Sequence, residues 1–168
     1  MSIRTNKRGF SLVELVIVVV IIGVIAAIAV PRISRGAKGA GESALKGSLA
    51  SIRNSIDMYA AEHQGVLPGA DGLEATLIDQ LTKVTNAAGA RGTGAGFIYG
   101  PYLRKGFAPA QVGPNPTATG VIMTTTTPIA TAVVEATTTA GWVYNYQTGE
   151  LIINTNDAGE NGQTYDTY

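Results

Sequence analysis

A chain of 168 residues has room for one modest domain beside an apolar segment, and not for a second large core. Its 12 basic and 12 acidic side chains balance, and removal of a leader holding Arg4, Lys7 and Arg8 leaves an acidic remainder, so no basic field for nucleic acid exists. The lack of cysteine excludes a disulfide framework, a thiolate metal site and a cysteine nucleophile, and the single histidine, His63, excludes a histidine pair.

From Phe10 to Val30 the chain is apolar except for one ionisable side chain, Glu14. As a helix rising about 1.5 Å per residue this run spans about 31 Å, the thickness of a hydrocarbon core. A carboxylate in such a segment costs roughly 2.5 to 3.5 kcal/mol at mid-depth, and less near an end, so Glu14 needs a partner or a task. A secretory signal peptide has the same basic start and apolar core, with Ala27-Ile28-Ala29 as its cleavage site, and a signal anchor has both without cleavage. Neither gives Glu14 a reason. The cations Arg4, Lys7 and Arg8 before the run are matched by Arg32, Arg35 and Lys38 after it, so loop charge alone does not orient the span.

Lys7-Arg8-Gly9, then Phe10-Ser11-Leu12-Val13-Glu14, then uncharged residues to Val30 and Pro31, resembles the type IV pilin and type II secretion pseudopilin family. The resemblance implies a leader, residues 1–9, that stays cytoplasmic while the body is exported across the inner membrane. A membrane prepilin peptidase would cut between Gly9 and Phe10 and methylate the Phe10 amine. Gly9 lets the backbone enter a narrow cleft, and the basic residues before it hold the leader at the membrane surface. Cleavage gives Glu14 a cationic partner at Phe10, within one chain or between neighbours, where a slip in register would leave a charge buried alone. Gly23 and Pro31 match positions between which helices of this family unwind in filaments.

Residues 10–31 are thus expected to form a membrane and assembly helix, continued by an amphipathic helix over 32–64. Leu45, Leu49, Ile52, Ile56, Tyr59 and His63 step by four and three residues, while Lys46, Arg53, Asp57 and Glu62 fall off that stripe. Pro31 removes an amide donor and crowds the carbonyl of Ala27, so a kink or loosened turn is expected there. Gly36, Gly39 and Gly41 lower helix propensity, and Gly65 with Pro68 marks the stop.

Residues 65–154 read as a globular head. Asp71 is placed to cap a short helix with Leu73, Leu77 and Leu81 on one face, and this order of elements resembles the corresponding region of major pseudopilins. Residues 86–96 read as a flexible loop whose Gly92, Gly94 and Gly96 lack a phosphate-loop pattern. The aromatic stretch 97–103, followed by Arg104 and Lys105, is either a stacking platform or apolar loop packed under the long helix, and its turn residues favour the second. Residues 121–124 and 132–134 read as edge strands separated by Pro128. The hairpin of 142–145 and 151–154, turning at Gly149, covers the helix stripe and resembles the last hairpin of some bacterial pilin-like proteins.

Residues 155–168 are polar and read as a loose tail. Asp157, Glu160, Asn161 and Asp166 offer oxygen donors of the kind calcium takes, and major pseudopilins carry such a site near their C-terminus. The spacing is that of neither an EF-hand nor that family loop, so a solvated tail stands beside calcium as the reading, and no other cofactor is expected. The whole describes an α+β chain: a long N-terminal helix, membrane-spanning in its first half and amphipathic in its second, on a small head with a C-terminal antiparallel sheet. It is expected to be no enzyme but a subunit of an inner-membrane-assembled filament, in a type II secretion pseudopilus or alternatively a type IV pilus. The implied partners are further copies, other pilin-like subunits, the peptidase, an assembly platform with its ATPase, and lipid before assembly. The rival is a monomeric exported binding domain on a signal peptide or anchor.

Overall fold

The computed structural model describes residues 9–132 and 140–168. Its first element, α1 (Leu12–Glu62), is an unbroken helix of 51 residues that carries Pro31 inside it and passes through Gly23, Gly36, Gly39 and Gly41. The expected bounds, 10–64, hold to within two residues at each end. Two compact units divide the chain, Met1–Lys38 and Gly39–Tyr168.

In the first unit the apolar side chains of α1, from Leu12 through Val20 to Ile33, are exposed. This part of the helix is long and apolar enough to cross a membrane.

In the second unit the helical stripe behaves as its spacing requires. Leu45, Leu49, Ile52, Ile56 and Tyr59 are all buried in the main core, and His63 below them is buried too. Each such apolar side chain contributes roughly 1.5 to 3 kcal/mol when removed from water. The helix closes at Gln64, which takes a left-handed φ of 57°, followed by Gly65 at 83°. Gly65 N–H donates to the Ala60 carbonyl at 2.8 Å, which satisfies one of the carbonyls orphaned by the helix end.

Helix α2 (Glu74–Thr82) follows, with Leu77 and Leu81 fully buried. Leu73, expected on the same face, lies just before the helix and is exposed. Asp71 is not the cap residue itself. Its carboxylate accepts from Leu73 N–H at 3.0 Å and from the Thr76 hydroxyl at 2.7 Å, tying the entry loop to the first turn from outside.

Three strands form the sheet in the order β1 (Gly120–Thr124), β2 (Ala140–Asn145), β3 (Leu151–Ile153). The hairpin β2–β3 is antiparallel, pairing Trp142 with Ile153 and Tyr144 with Leu151, and Gly149 turns it at φ 78°. The expected antiparallel sheet is corrected at β1, which pairs with β2 in parallel. Parallel neighbours need a crossover rather than a tight turn. The connection from Thr124 to Ala140 provides it, and its 3-10 turn Ile129–Ala132 packs beneath the sheet. Side chains alternate as a strand demands. Trp142, Tyr144 and Ile153 enter the core under α1, whereas Val143 and Ile152 meet Ile129 on the other face. The edge strand expected over 132–134 begins in that 3-10 turn at Ala132, and its Val133 and Val134 lie outside the described residues.

The loose tail is also corrected. Thr155, Gly159 and Tyr165 are buried, and the tail ends in a short 3-10 turn, Tyr165–Thr167. Arg53 Nη2 donates to the carbonyls of Leu151 and Tyr168, both at 2.7 Å. Lys46 Nζ sits 4.4 Å over the Tyr168 ring. Composition hid this because the partners of the tail lie on α1, a hundred residues earlier in the chain.

Candidate functional site

The start of α1 gathers the residues singled out for processing and assembly. Gly9 and Phe10 precede the helix as irregular backbone, with Phe10 76% exposed. Ser11 is the last residue before the helix, and its carbonyl accepts the first helical bond, from Leu15 N–H at 3.2 Å. Glu14 Oε2 in turn accepts from Ser11 N–H at 2.9 Å. The arrangement is the carboxylate half of a capping box: a glutamate in the third helical position reaches back to the amide preceding the helix. Its negative charge also lies at the positive end of the helix dipole. The spacing Ser-x-x-Glu before an apolar run carries this signal in the sequence, where the isolated charge of Glu14 overshadows it.

Glu14 therefore has a local partner before any second chain is considered. A carboxylate offers about four lone-pair sites, so one amide bond leaves acceptor capacity for a further donor. Farther along, a Cβ added at Gly23 would meet open space. The residue is not required by packing within the unit, which leaves any requirement for it to come from outside.

The head offers no second constellation of comparable definition among the described residues. His63 lies in the core, stacked on Tyr59 with centroids 3.9 Å apart. Its Nδ1 is 2.8 Å from the Tyr59 carbonyl, and its Nε2 is 3.0 Å from both Thr85 Oγ1 and the Asn86 carbonyl. Both ring nitrogens are thus occupied, and the ring closes the end of the stripe more completely than its place in the sequence suggested.

The aromatic stretch after residue 96 packs against the same helix end. Tyr102 meets Tyr59 edge-on at 5.6 Å and donates to Glu62, while Tyr99 lies 5.2 Å from His63. Burial, and then the adjacent Glu62 carboxylate, push the Tyr102 hydroxyl well above the usual phenol range. Tyr99 and Tyr102 are thus packed on the end of α1, as the apolar-loop reading expected. Residues 86–96 are likewise held: Asn86 Oδ1 accepts from the amides of Ala88 and Ala90, and Thr85 bridges to Arg91 and Tyr99.

Asp157, Glu160 and Asp166 lie along the tail of the second unit. No three acidic or histidine side chains converge on one point among the described residues. Glu42 instead takes hydrogen-bond donors from this tail: its Oε1 accepts from Glu160 N–H at 2.7 Å and from the Tyr165 hydroxyl at 3.0 Å. Burial and that carboxylate push the Tyr165 hydroxyl up to about 12.

Comparison with known proteins isolates the same N-terminal stretch. Residues 4–30 match the family described as the prokaryotic N-terminal methylation motif. No curated protein and no solved structure matches the chain. The chain thus carries a prepilin-type motif on a helix able to cross a membrane.

Proposed function

We propose that this protein is a structural subunit of a pilin-like filament assembled from the inner membrane, and not an enzyme. The observation that carries the reading is the match over residues 4–30, a stretch that contains Gly9, Phe10 and Glu14, on the first part of a helix where the large apolar side chains stand exposed. In this scheme the segment 10–31 resides in lipid as a single span, with the head on the periplasmic side. The peptidase cuts after Gly9 and methylates Phe10. The new ammonium at Phe10 stands four residues before Glu14, within reach of the carboxylate capacity that Ser11 leaves free, or of a neighbouring copy. Packing of apolar helices against one another then replaces lipid contact, with an assembly platform and a cytoplasmic ATPase as partners. Gly23 and Pro31 are the positions at which the helix would loosen on assembly.

Between systems, the chain from Gly65 through Pro68 into α2 favours a type II secretion pseudopilus over a type IV pilus by its likeness to major pseudopilins. The reading is tested with two variants. Glu14→Gln keeps an acceptor for Ser11 N–H and loses the charge, whereas Glu14→Ala loses both. Both are expected to be processed at Gly9, and both are expected to give little sheared filament. Normal filament from Glu14→Gln would remove the charge from the account, and normal filament from both would remove the residue.

A further inference from the structure

We propose that the head carries two complementary flanks, one on each side of the buried stripe of α1, by which one copy docks sideways on the next. The proposal rests on the filament reading and specifies a contact within it.

The first flank is the tail. Glu42, Lys46 and Arg53 hold it to α1 through Glu160 N–H, the Tyr165 hydroxyl, the Tyr168 ring and the Tyr168 carbonyl. At about 100° per residue these three positions fall within about 40° of one another around the helix. Lys46 and Arg53 are thereby committed to the tail itself. What the tail presents outward is acidic: Asp157 and Glu160 are its exposed charged side chains, and residues 155–168 contain no lysine or arginine. Asp166 Oδ1, by contrast, is buried, with no hydrogen-bond partner among the described residues.

The second flank is an open groove of about 580 Å³ on the other side of the stripe. One wall is α1 itself, where Ala44, Gly47, Ser48 and Ser51 bring a visiting chain close to the helix backbone. The opposite wall carries Arg104 and Lys105. Both cations are exposed, and neither makes an ion pair or hydrogen bond among the described residues. Elsewhere on the head Lys83 and Arg91 are engaged, both pairing with Asp79. The groove wall lies roughly 170° around α1 from the residues that hold the tail.

A basic groove and an acidic tail on opposite flanks of one helix cannot meet within a chain, but they meet between two. The occupant we assign to the groove is the tail, residues 156–163, of a second copy. Because the two patches differ, the contact is heterologous: each added copy leaves one groove and one tail free, so the contact propagates as a filament requires. Two cations are too few to hold a nucleic acid, whose affinity comes from neutralising many phosphates.

The chain has no cysteine, so the full-length double variant Lys105→Cys/Glu160→Cys supplies the only thiols. In cells making filament, a short thiol crosslinker is expected to yield a ladder of dimers, trimers and higher species, absent from either single variant. Arg104→Glu with Lys105→Glu is expected to lower filament yield at least about tenfold through like-charge contact, and adding Asp157→Lys with Glu160→Lys to restore it. Normal filament from the reversed groove together with no ladder overturns the docking proposal and leaves the filament reading intact. Capture of a different protein through the Lys105→Cys thiol also overturns it, by giving the groove another occupant. A wild-type chain that makes no filament overturns both.

Discussion

Helix α1 presents two surfaces of opposite character. Over its first part the large apolar side chains lie exposed, while from Leu45 onward a single stripe is buried. The difference shows which of the two has found its partner. The stripe has the head, through Trp142, Tyr144, Leu77 and Leu81. The first part has none among the described residues, and in the proposed function lipid or other copies cover its exposed area. A substitution in one half should therefore move stability, and in the other half assembly.

The largest expected effect breaks the head. Trp142→Ala removes a fully buried ring whose Nε1 donates to the Ala108 carbonyl at 2.8 Å. It should cost about 3 to 5 kcal/mol by chemical denaturation of the detergent-solubilised chain. Leu49→Ala should cost about 2 to 5 kcal/mol in the same assay. Val20→Ala, in the open half, should change head stability by less than about 0.5 kcal/mol while lowering filament yield. A head destabilised by Val20→Ala as much as by Leu49→Ala would erase the distinction.

Alkaline titration sharpens it further. Burial raises the hydroxyls of Tyr59, Tyr102, Tyr144 and Tyr165, all of them in the head. A group whose folded value is raised contributes stability that is present below its unfolded value, near 10, and lost as pH climbs through the folded one. The head is therefore expected to lose stability above about pH 10, with Tyr165 adding its share up to about 12. Tyr165→Phe should remove that share and, at neutral pH, cost about 0.5 to 1.5 kcal/mol for the lost bond to Glu42. Asp71→Ala should cost about 0.5 kcal/mol. Thr76 and the Leu73 amide hold that carboxyl below its usual range, so its contribution is present above the unfolded value and fades as pH falls. The smallest effect expected is none: a calcium chelator should leave the melting temperature of the head unchanged.

Much of this was legible in the sequence where a period exists to read. The stripe from Leu45 to His63 repeats every three or four residues, so its buried face could be assigned, and the hairpin of β2 and β3 showed as two branched and aromatic runs around a glycine turn, set to cover that stripe. What the sequence concealed depends on contacts distant in the chain. The parallel seating of β1 follows from a crossover whose path no local pattern records. The tail looked soluble because Tyr165 and Tyr168 find their partners at Glu42, Lys46 and Arg53. At the N-terminus the charge of Glu14 drew attention to a partner created by cleavage, while the simpler bond to Ser11 N–H stood three residues away.

The central claim is that the open half of α1 is a processed assembly helix, and the sequence and mass of the mature N-terminus test it most directly. The account predicts a chain beginning at Phe10 with a methylated amine. A mature chain beginning at Val30, as cleavage after Ala27-Ile28-Ala29 would give, contradicts it.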